Sequence, residues 1–145
     1  MHAIHFINGP NLNLLGTREP EVYGSQTLSD IEAMVRAAAD GADIRFMQSN
    51  IEGELVDAVQ AAGRAGAAIV INPAAYTHTS VALHDALKAV DVPSVEIHLS
   101  QPAKREAFRR TSYVAQAVDG TISGFGAQSY ILGLHAAMNL LKARG

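Results

Sequence analysis

Ala68-Ile69-Val70-Ile71, set between Gly66 and Asn72-Pro73, is a brief run of apolar, mostly branched side chains and reads as a short buried strand. The same signal recurs at Ala3 to Ile7, Ile44 to Met47 and Val95 to His98. Helical periodicity fills the gaps. Leu28, Ile31, Val35 and Ala38 form one stripe before Gly41, Leu55, Val56, Val59 and Ala62 form a second before Gly66, and Val81, Leu83, Leu87 and Val90 form a third. Thr27 with Asp30 predicts a capping arrangement at the first of these helices, Thr79 is placed to cap the third, and Pro93 stops continuation into the next strand. A last helix, from about Gln128 to Leu141, presents Ile131, Leu134, Met138 and Leu141 along one surface.

Gly120 to Ser123 is a fifth strand candidate, interrupted by glycines and suited to a sheet edge. Strands alternating with helices give an α/β class, in which each helix returns the chain along a sheet face and buries its stripe there. The expected architecture is a flavodoxin-like three-layer domain with a five-stranded parallel sheet. With 145 residues and 48% hydrophobic composition, a single domain over residues 1–145 should bury roughly two-thirds of its unfolded surface.

The formal net charge is −3, and the eight arginines and three lysines are scattered, so nothing resembles the basic face of a nucleic-acid binder. Zero cysteines remove disulfides and thiolate chemistry. The first residues lack the basic flank, apolar run and processing site of a secretory signal, and no apolar stretch is long enough to span a membrane, which makes the cytoplasm the expected location.

In a sheet of this kind ligands occupy the crevice beyond the strand C-terminal ends, and the distinctive polar residues fall there. Asn8-Gly9-Pro10-Asn11-Leu12-Asn13-Leu14-Leu15-Gly16-Thr17-Arg18-Glu19-Pro20, followed by Tyr23-Gly24, is long for a connection after a strand and reads as a binding loop, with a lid over residues 16–26. Arg18 beside Tyr23 would favour tyrosinate and make it a competent base, set against a packed tyrosine and a solvated arginine. Glu96 and His98, two apart on a strand, share a face, either as an acid with its orienting carboxylate or as a structural pair. Asn72 can orient a polyol or support oxyanion charge through a water, or can punctuate an Asn-Pro turn, and Asn11 has the same two readings. His78, Asp85 and Arg109 suit hydroxyl recognition and the Leu99 and Ser100 amides suit a carboxylate, against the bland readings of Arg109 covering a helix and Asp85 capping one. His135, on an apolar-rich helix, reads as a packing residue. No metal-ligand spacing stands out, none of the lysines sits in an evident buried site for imine chemistry, and Gly120-Thr121-Ile122-Ser123-Gly124-Phe125-Gly126 lacks the features of a phosphate loop.

Taken with Gln48-Ser49-Asn50, Tyr76-Thr77-His78-Thr79-Ser80, Glu96-Ile97-His98-Leu99-Ser100 and Arg105-Glu106-Ala107-Phe108-Arg109, these motifs resemble those of type II 3-dehydroquinate dehydratases over essentially the whole chain. The resemblance implies dehydration of 3-dehydroquinate to 3-dehydroshikimate in the shikimate pathway, without metal or organic cofactor. It implies that Tyr23 is the base, Arg18 supports its ionised form, Asn11 arranges the site, and His98 protonates the departing hydroxyl with Glu96 behind it. It assigns Asn72, His78, Asp85, Leu99, Ser100 and Arg109 to the substrate. It also implies a homododecamer arranged as a tetramer of trimers, with Asp85 reaching a neighbouring site. The chain departs from the family pattern at Ile51, Ala74, His84 and Gln101-Pro102, which bears on local contacts and loop geometry more than on reaction class.

Overall fold

Period-two alternation along strands that are apolar on both sides sends successive side chains into two different layers. A computed structural model of the chain describes residues 2–17 and 19–145, with the backbone alone at Tyr23, so Arg18 and the Tyr23 phenol lie outside the described residues. The strands are β1 (Ala3–Asn8), β2 (Asp43–Gln48), β3 (Ala68–Asn72), β4 (Ser94–His98) and β5 (Gly120–Ser123). They form one parallel sheet in the order β2-β1-β3-β4-β5. The helices are α1 (Pro20–Tyr23), α2 (Leu28–Ala38), α3 (Glu52–Ala65), α4 (Val81–Ala89) and α5 (Gln128–Ala143). This is the expected three-layer α/β fold, and β5 pairs at the sheet edge as its broken signal implied.

Ile4, Phe6, Ala68 and Val70 face α2 and α5, where they meet Ile31, Val35, Tyr130 and Leu134. Ile7, Ile69 and Ile71 face the opposite way, onto Leu55, Val59, Leu83 and Leu87 of α3 and α4. Complete burial of each Val, Leu, Ile or Phe among these contributes about 1.5–3 kcal/mol. Phe6 stacks on Phe46 at 5.7 Å and on Tyr130 at 6.2 Å between centroids, a geometry worth about 0.5–1.5 kcal/mol per pair beyond burial.

Helix starts follow local chemistry. At α2 both arms of the capping box form: Asp30 N–H donates to Thr27 Oγ1 at 3.1 Å, and Thr27 N–H donates to Asp30 Oδ2 at 3.0 Å. At α4 the cap is Ser80, whose Oγ accepts from Leu83 N–H at 2.9 Å, and not Thr79, because Thr77 to Thr79 are taken up in a preceding 3-10 turn and its end. His135 is exposed and not packed, since Gly133, Leu134 and Ala137 are the positions of α5 turned to the sheet. Among the described residues no helix is long and apolar enough to cross a membrane.

Gly133 decides how closely α5 approaches the sheet. A Cβ there would lie 2.9 Å from Ile97 Cγ2 and 3.0 Å from Val70 Cγ1, so only glycine seats the helix this low over β3 and β4. That seating carries Tyr130, one turn earlier on α5, to the ends of β1 and β3. In register, Asn8 stands level with Gln48 on one side and Asn72 on the other. The winding reverses between β1 and β3, which is where a sheet of this order opens its ligand crevice.

Candidate active site

Pro10, Asn11 and Leu12 from the loop after β1, Asn72, Ala74, Ala75 and His78 after β3, and His98, Leu99, Ser100 and Pro102 after β4 line one cleft at that switch point, with Arg105 and Arg109 on its far wall. Of the residues expected to act, it thus gathers Asn11, Asn72, His78, His98, Leu99, Ser100 and Arg109. Glu96 lies behind His98. Asp85 is exposed on α4 and is not among the residues lining the cleft.

Each group is held by a local cause. Asn11 adopts a left-handed conformation, φ 68°, that asparagine tolerates better than most residues, and its N–H donates to Asn50 Oδ1 at 2.9 Å. Gln48 Nε2 donates to the Gly9 carbonyl at 3.1 Å and to Asn50 Oδ1 at 3.2 Å. The amides at the end of β2 therefore pin the first loop. Gly9 is also pressed against β3, where a Cβ would fall 2.4 Å from the Pro73 carbonyl oxygen. His78 Nδ1 donates to the Thr111 carbonyl at 2.7 Å; because a carbonyl only accepts, a proton is on Nδ1, and Nε2 is the nitrogen left to meet a hydroxyl.

Leu99 and Ser100 present backbone amides by a simple planar argument. The His98 carbonyl accepts from Gly124 N–H at 3.3 Å and the Leu99 carbonyl from Gly126 N–H at 2.9 Å. In a trans peptide the N–H of the next residue points opposite to the carbonyl. The amides of Leu99 and Ser100 are consequently both turned away from the 124–126 turn, a paired donor arrangement suited to a carboxylate.

The Glu96–His98 pair forms as the strand register requires. His98 Nε2 lies 2.5 Å from Glu96 Oε2, with side-chain exposures of 13% and 2%. Thr77 Oγ1 donates to the same carboxylate oxygen at 2.5 Å, and Ser112 Oγ lies 3.2 Å from both carboxylate oxygens. Burial pushes the Glu96 carboxyl up, but the hydrogen bond and charge of His98 together with the two hydroxyls outweigh it and hold the carboxyl below its ordinary value. Glu96 is thus an ionised acceptor that keeps a proton on His98 Nε2 and leaves Nδ1 as the nitrogen able to exchange a proton elsewhere.

A carboxyl whose folded-state value is depressed adds stability that is complete above the unfolded-state value and disappears as pH falls through the folded-state value. The wild-type protein should therefore lose thermal stability more steeply than Glu96→Gln as pH drops below about 4.5, the ordinary glutamate value. Parallel melting curves taken downward from neutral pH check this; superimposable slopes would remove Glu96 as an acid-labile element.

Several participants carried no readable signal. Thr77 and Ser112 reach Glu96 from 19 and 16 residues away in irregular segments. Arg105 was visible only as the first arginine of the motif that ends at Arg109. It lies 3.9 Å from Glu19 in the first loop and 3.9 Å from Glu106, while Arg109 Nε donates to Glu106 Oε1 at 3.0 Å. The cue was two arginines bracketing one glutamate, which turns both guanidinium groups to one wall.

With the cleft described, comparison with known proteins is direct. The sequence-family profile described as "Dehydroquinase class II" matches residues 2–138. The chain belongs to the dehydroquinase class II family. It is 59% identical over 140 residues to a 3-dehydroquinate dehydratase of Maricaulis maris, covering 95% of this chain and 96% of that one. It is 60% identical over 142 residues to one of Sinorhizobium medicae, covering 97% and 96%. Among solved structures, the type II dehydroquinase from Butyrivibrio crossotus superposes with a TM-score of 0.92 at 38% identity, covering 94% of this chain and 97% of that one.

The departures from the dehydroquinase pattern now have locations. Ile51 is exposed at the start of α3, His84 Nδ1 donates to the Tyr113 carbonyl at 2.7 Å, and Gln101 Oε1 accepts from Ser123 Oγ at 2.6 Å. Ala74 is the one under strain. Its φ is 52°, in the left-handed region that disfavours a Cβ. Ala74→Gly should raise stability by about 0.5–1 kcal/mol, since relief of the backbone strain exceeds the extra chain entropy of glycine. A rise of a few degrees in Tm is the expected reading, and a fall would show that the alanine methyl is better packed than the angle is strained.

Proposed function

We propose that this chain dehydrates 3-dehydroquinate to 3-dehydroshikimate by anti elimination through an enolate, with Tyr23 as base and His98 as acid. Membership of the dehydroquinase class II family supports the overall reaction, a lyase step of the shikimate pathway. The observation that carries the mechanistic reading is the ionised Glu96 bound to His98 at 2.5 Å, on the wall of a cleft that also holds Asn72 and the paired Leu99 and Ser100 amides.

The chemistry divides between two faces of the substrate. Tyr23, made phenolate by Arg18, removes the proton on the carbon beside the ketone, and the electron pair of that C–H bond moves into an enolate. Hydrogen-bond donors placed where this charge develops lower the barrier, and Asn72 and Asn11 are the amides nearest that role. Collapse of the enolate forms the carbon–carbon double bond and breaks the bond to the β-hydroxyl. His98 donates a proton to the departing oxygen, so water leaves, and Glu96 stabilises the imidazolium before the transfer. Leu99 and Ser100 hold the carboxylate, and His78 and Arg109 take hydroxyl groups.

The loop over residues 16–26 acts as a lid in this reading. Glu21, Val22, Gly24 and Gln26 share a crevice with Ser100, Lys104 and Arg105, which supports closure onto the carboxylate side. The assembly is a homododecamer of four trimers. Exposure of Asp85 on α4, away from the cleft of its own subunit, supports its service to a neighbouring one.

Purified protein mixed with 3-dehydroquinate should produce the ultraviolet absorbance of a conjugated enone. Absence of that signal across a broad range of pH and salt would sink the assignment. Substrate deuterated stereospecifically beside the ketone tests the geometry: the product should lose the label placed anti to the hydroxyl, and its retention would rule out anti elimination.

A further inference from the structure

Asn8, Asn72 and Tyr130 form a polar chain buried from solvent, with exposures of 0%, 2% and 0%. Its direction follows from atoms that admit one role. The Met47 carbonyl can only accept, so the side-chain atom of Asn8 that meets it at 2.9 Å is Nδ2. Asn8 therefore turns Oδ1 toward the Tyr130 hydroxyl, 2.6 Å away. An amide oxygen only accepts, so the single phenolic proton of Tyr130 is given to Asn8. The Tyr130 oxygen must then accept from its other neighbour, and Asn72 Nδ2 donates to it at 3.0 Å. The far end agrees independently, because Ala74 N–H can only donate and meets Asn72 Oδ1 at 3.2 Å.

Asn72 thus has its oxygen engaged by Ala74 and one amide hydrogen engaged by Tyr130, and its remaining amide hydrogen is left for the cleft it lines. We infer that Tyr130 is a positioning residue that sets the polarity of Asn72, so that residue 72 offers the cleft a hydrogen-bond donor and not an acceptor. The inference rests on the elimination mechanism above, in which developing enolate charge needs a donor and would be opposed by an amide oxygen. Tyr130 is well suited to a fixed role. Burial raises its phenol above the ordinary value, with the Asn72 hydrogen bond opposing in part, so it stays a neutral hydroxyl at any working pH. The stacked rings of Phe6 and Phe46 hold it in place.

The test is a cycle of Tyr130→Phe, Asn72→Ala and the double variant, with kcat and KM for 3-dehydroquinate measured below the melting temperature of each. Tyr130→Phe should lower kcat about tenfold with KM within about twofold, since a misplaced donor weakens transition-state stabilisation more than ground-state binding. In the Asn72→Ala background the same change should alter kcat by less than about twofold, because there is no amide left to orient. An unchanged kcat in Tyr130→Phe, or an equal loss in both backgrounds, would overturn the inference and leave Tyr130 as packing only. Should Tyr130→Phe not fold, Asn72→Asp, which when ionised offers only acceptors at nearly the same shape, serves instead, assayed at the highest pH at which the wild-type protein is active. Its kcat should fall as far as that of Asn72→Ala, and near-normal turnover would overturn the donor requirement. Inactive wild-type protein would instead defeat the dehydration reading itself.

Discussion

His98→Ala is expected to lower kcat by about two to four orders of magnitude, the usual worth of a positioned general acid, with little change in KM. Its imidazole is joined through Nε2 to a carboxylate held ionised in a buried setting, and it lines the cleft beside Leu99 and Ser100. In the proposed mechanism, loss of the ring removes the group that protonates the leaving hydroxyl. The fold should survive, because Glu96 keeps the hydroxyls of Thr77 and Ser112 as partners. A bell-shaped pH profile of kcat/KM should lose its alkaline limb, since that limb marks deprotonation of the acid. Glu96→Gln should fall between wild type and His98→Ala, because it preserves the shape of the pair while withdrawing the charge that favours imidazolium. Wild-type turnover in His98→Ala would reduce Glu96 and His98 to a structural pair at the end of β4.

Tyr23→Phe is expected to be at least as damaging, again by about two to four orders of magnitude. Phenylalanine keeps the ring and removes only the oxygen that takes the proton in the proposed mechanism. The elimination cannot begin without a base, so the deficit should appear in kcat while circular dichroism and Tm stay close to wild type. Here the acid limb of the pH profile should vanish, because that limb marks ionisation of the base. The two variants therefore leave opposite signatures in one experiment. Arg18→Gln should move the acid limb to higher pH and not abolish it, since in the proposed mechanism the guanidinium favours the phenolate but does not itself remove a proton. Retained turnover in Tyr23→Phe would shift the base to another residue.

The fold was legible because its information is local and periodic. Ala68 to Ile71, together with the helical stripes around Leu55 and Leu83, specifies a strand between two crossover helices, and β1, β2, β4 and α5 repeat the same grammar. Much of the site was legible for a related reason. A parallel sheet brings every β-to-α connection to one end, so the polar residues after β1, β3 and β4 had to meet there. Glu96 and His98 needed only the period of a strand to place them on one face.

Reading failed where the deciding interaction joined distant segments or one turn of irregular backbone. Thr79 gave way to Ser80 as the cap of α4 because a 3-10 turn used up the earlier residues. His135 faces outward because the rotation of α5 is set by Gly133 against Ile97 and Val70, which no stripe of α5 alone specifies. The residues that complete the chemistry, Thr77 and Ser112 around Glu96 and Tyr130 between Asn8 and Asn72, meet across 16 to 122 positions. The order of residues was enough to bring His98, with Glu96 behind it, and the amides of Asn11, Asn72, Leu99 and Ser100 to one crevice, because strand period and sheet topology are properties of pattern. Which proton each of those groups holds was settled by packing in three dimensions, because a hydrogen bond acquires its direction only from partners that the folded chain brings within about 3 Å.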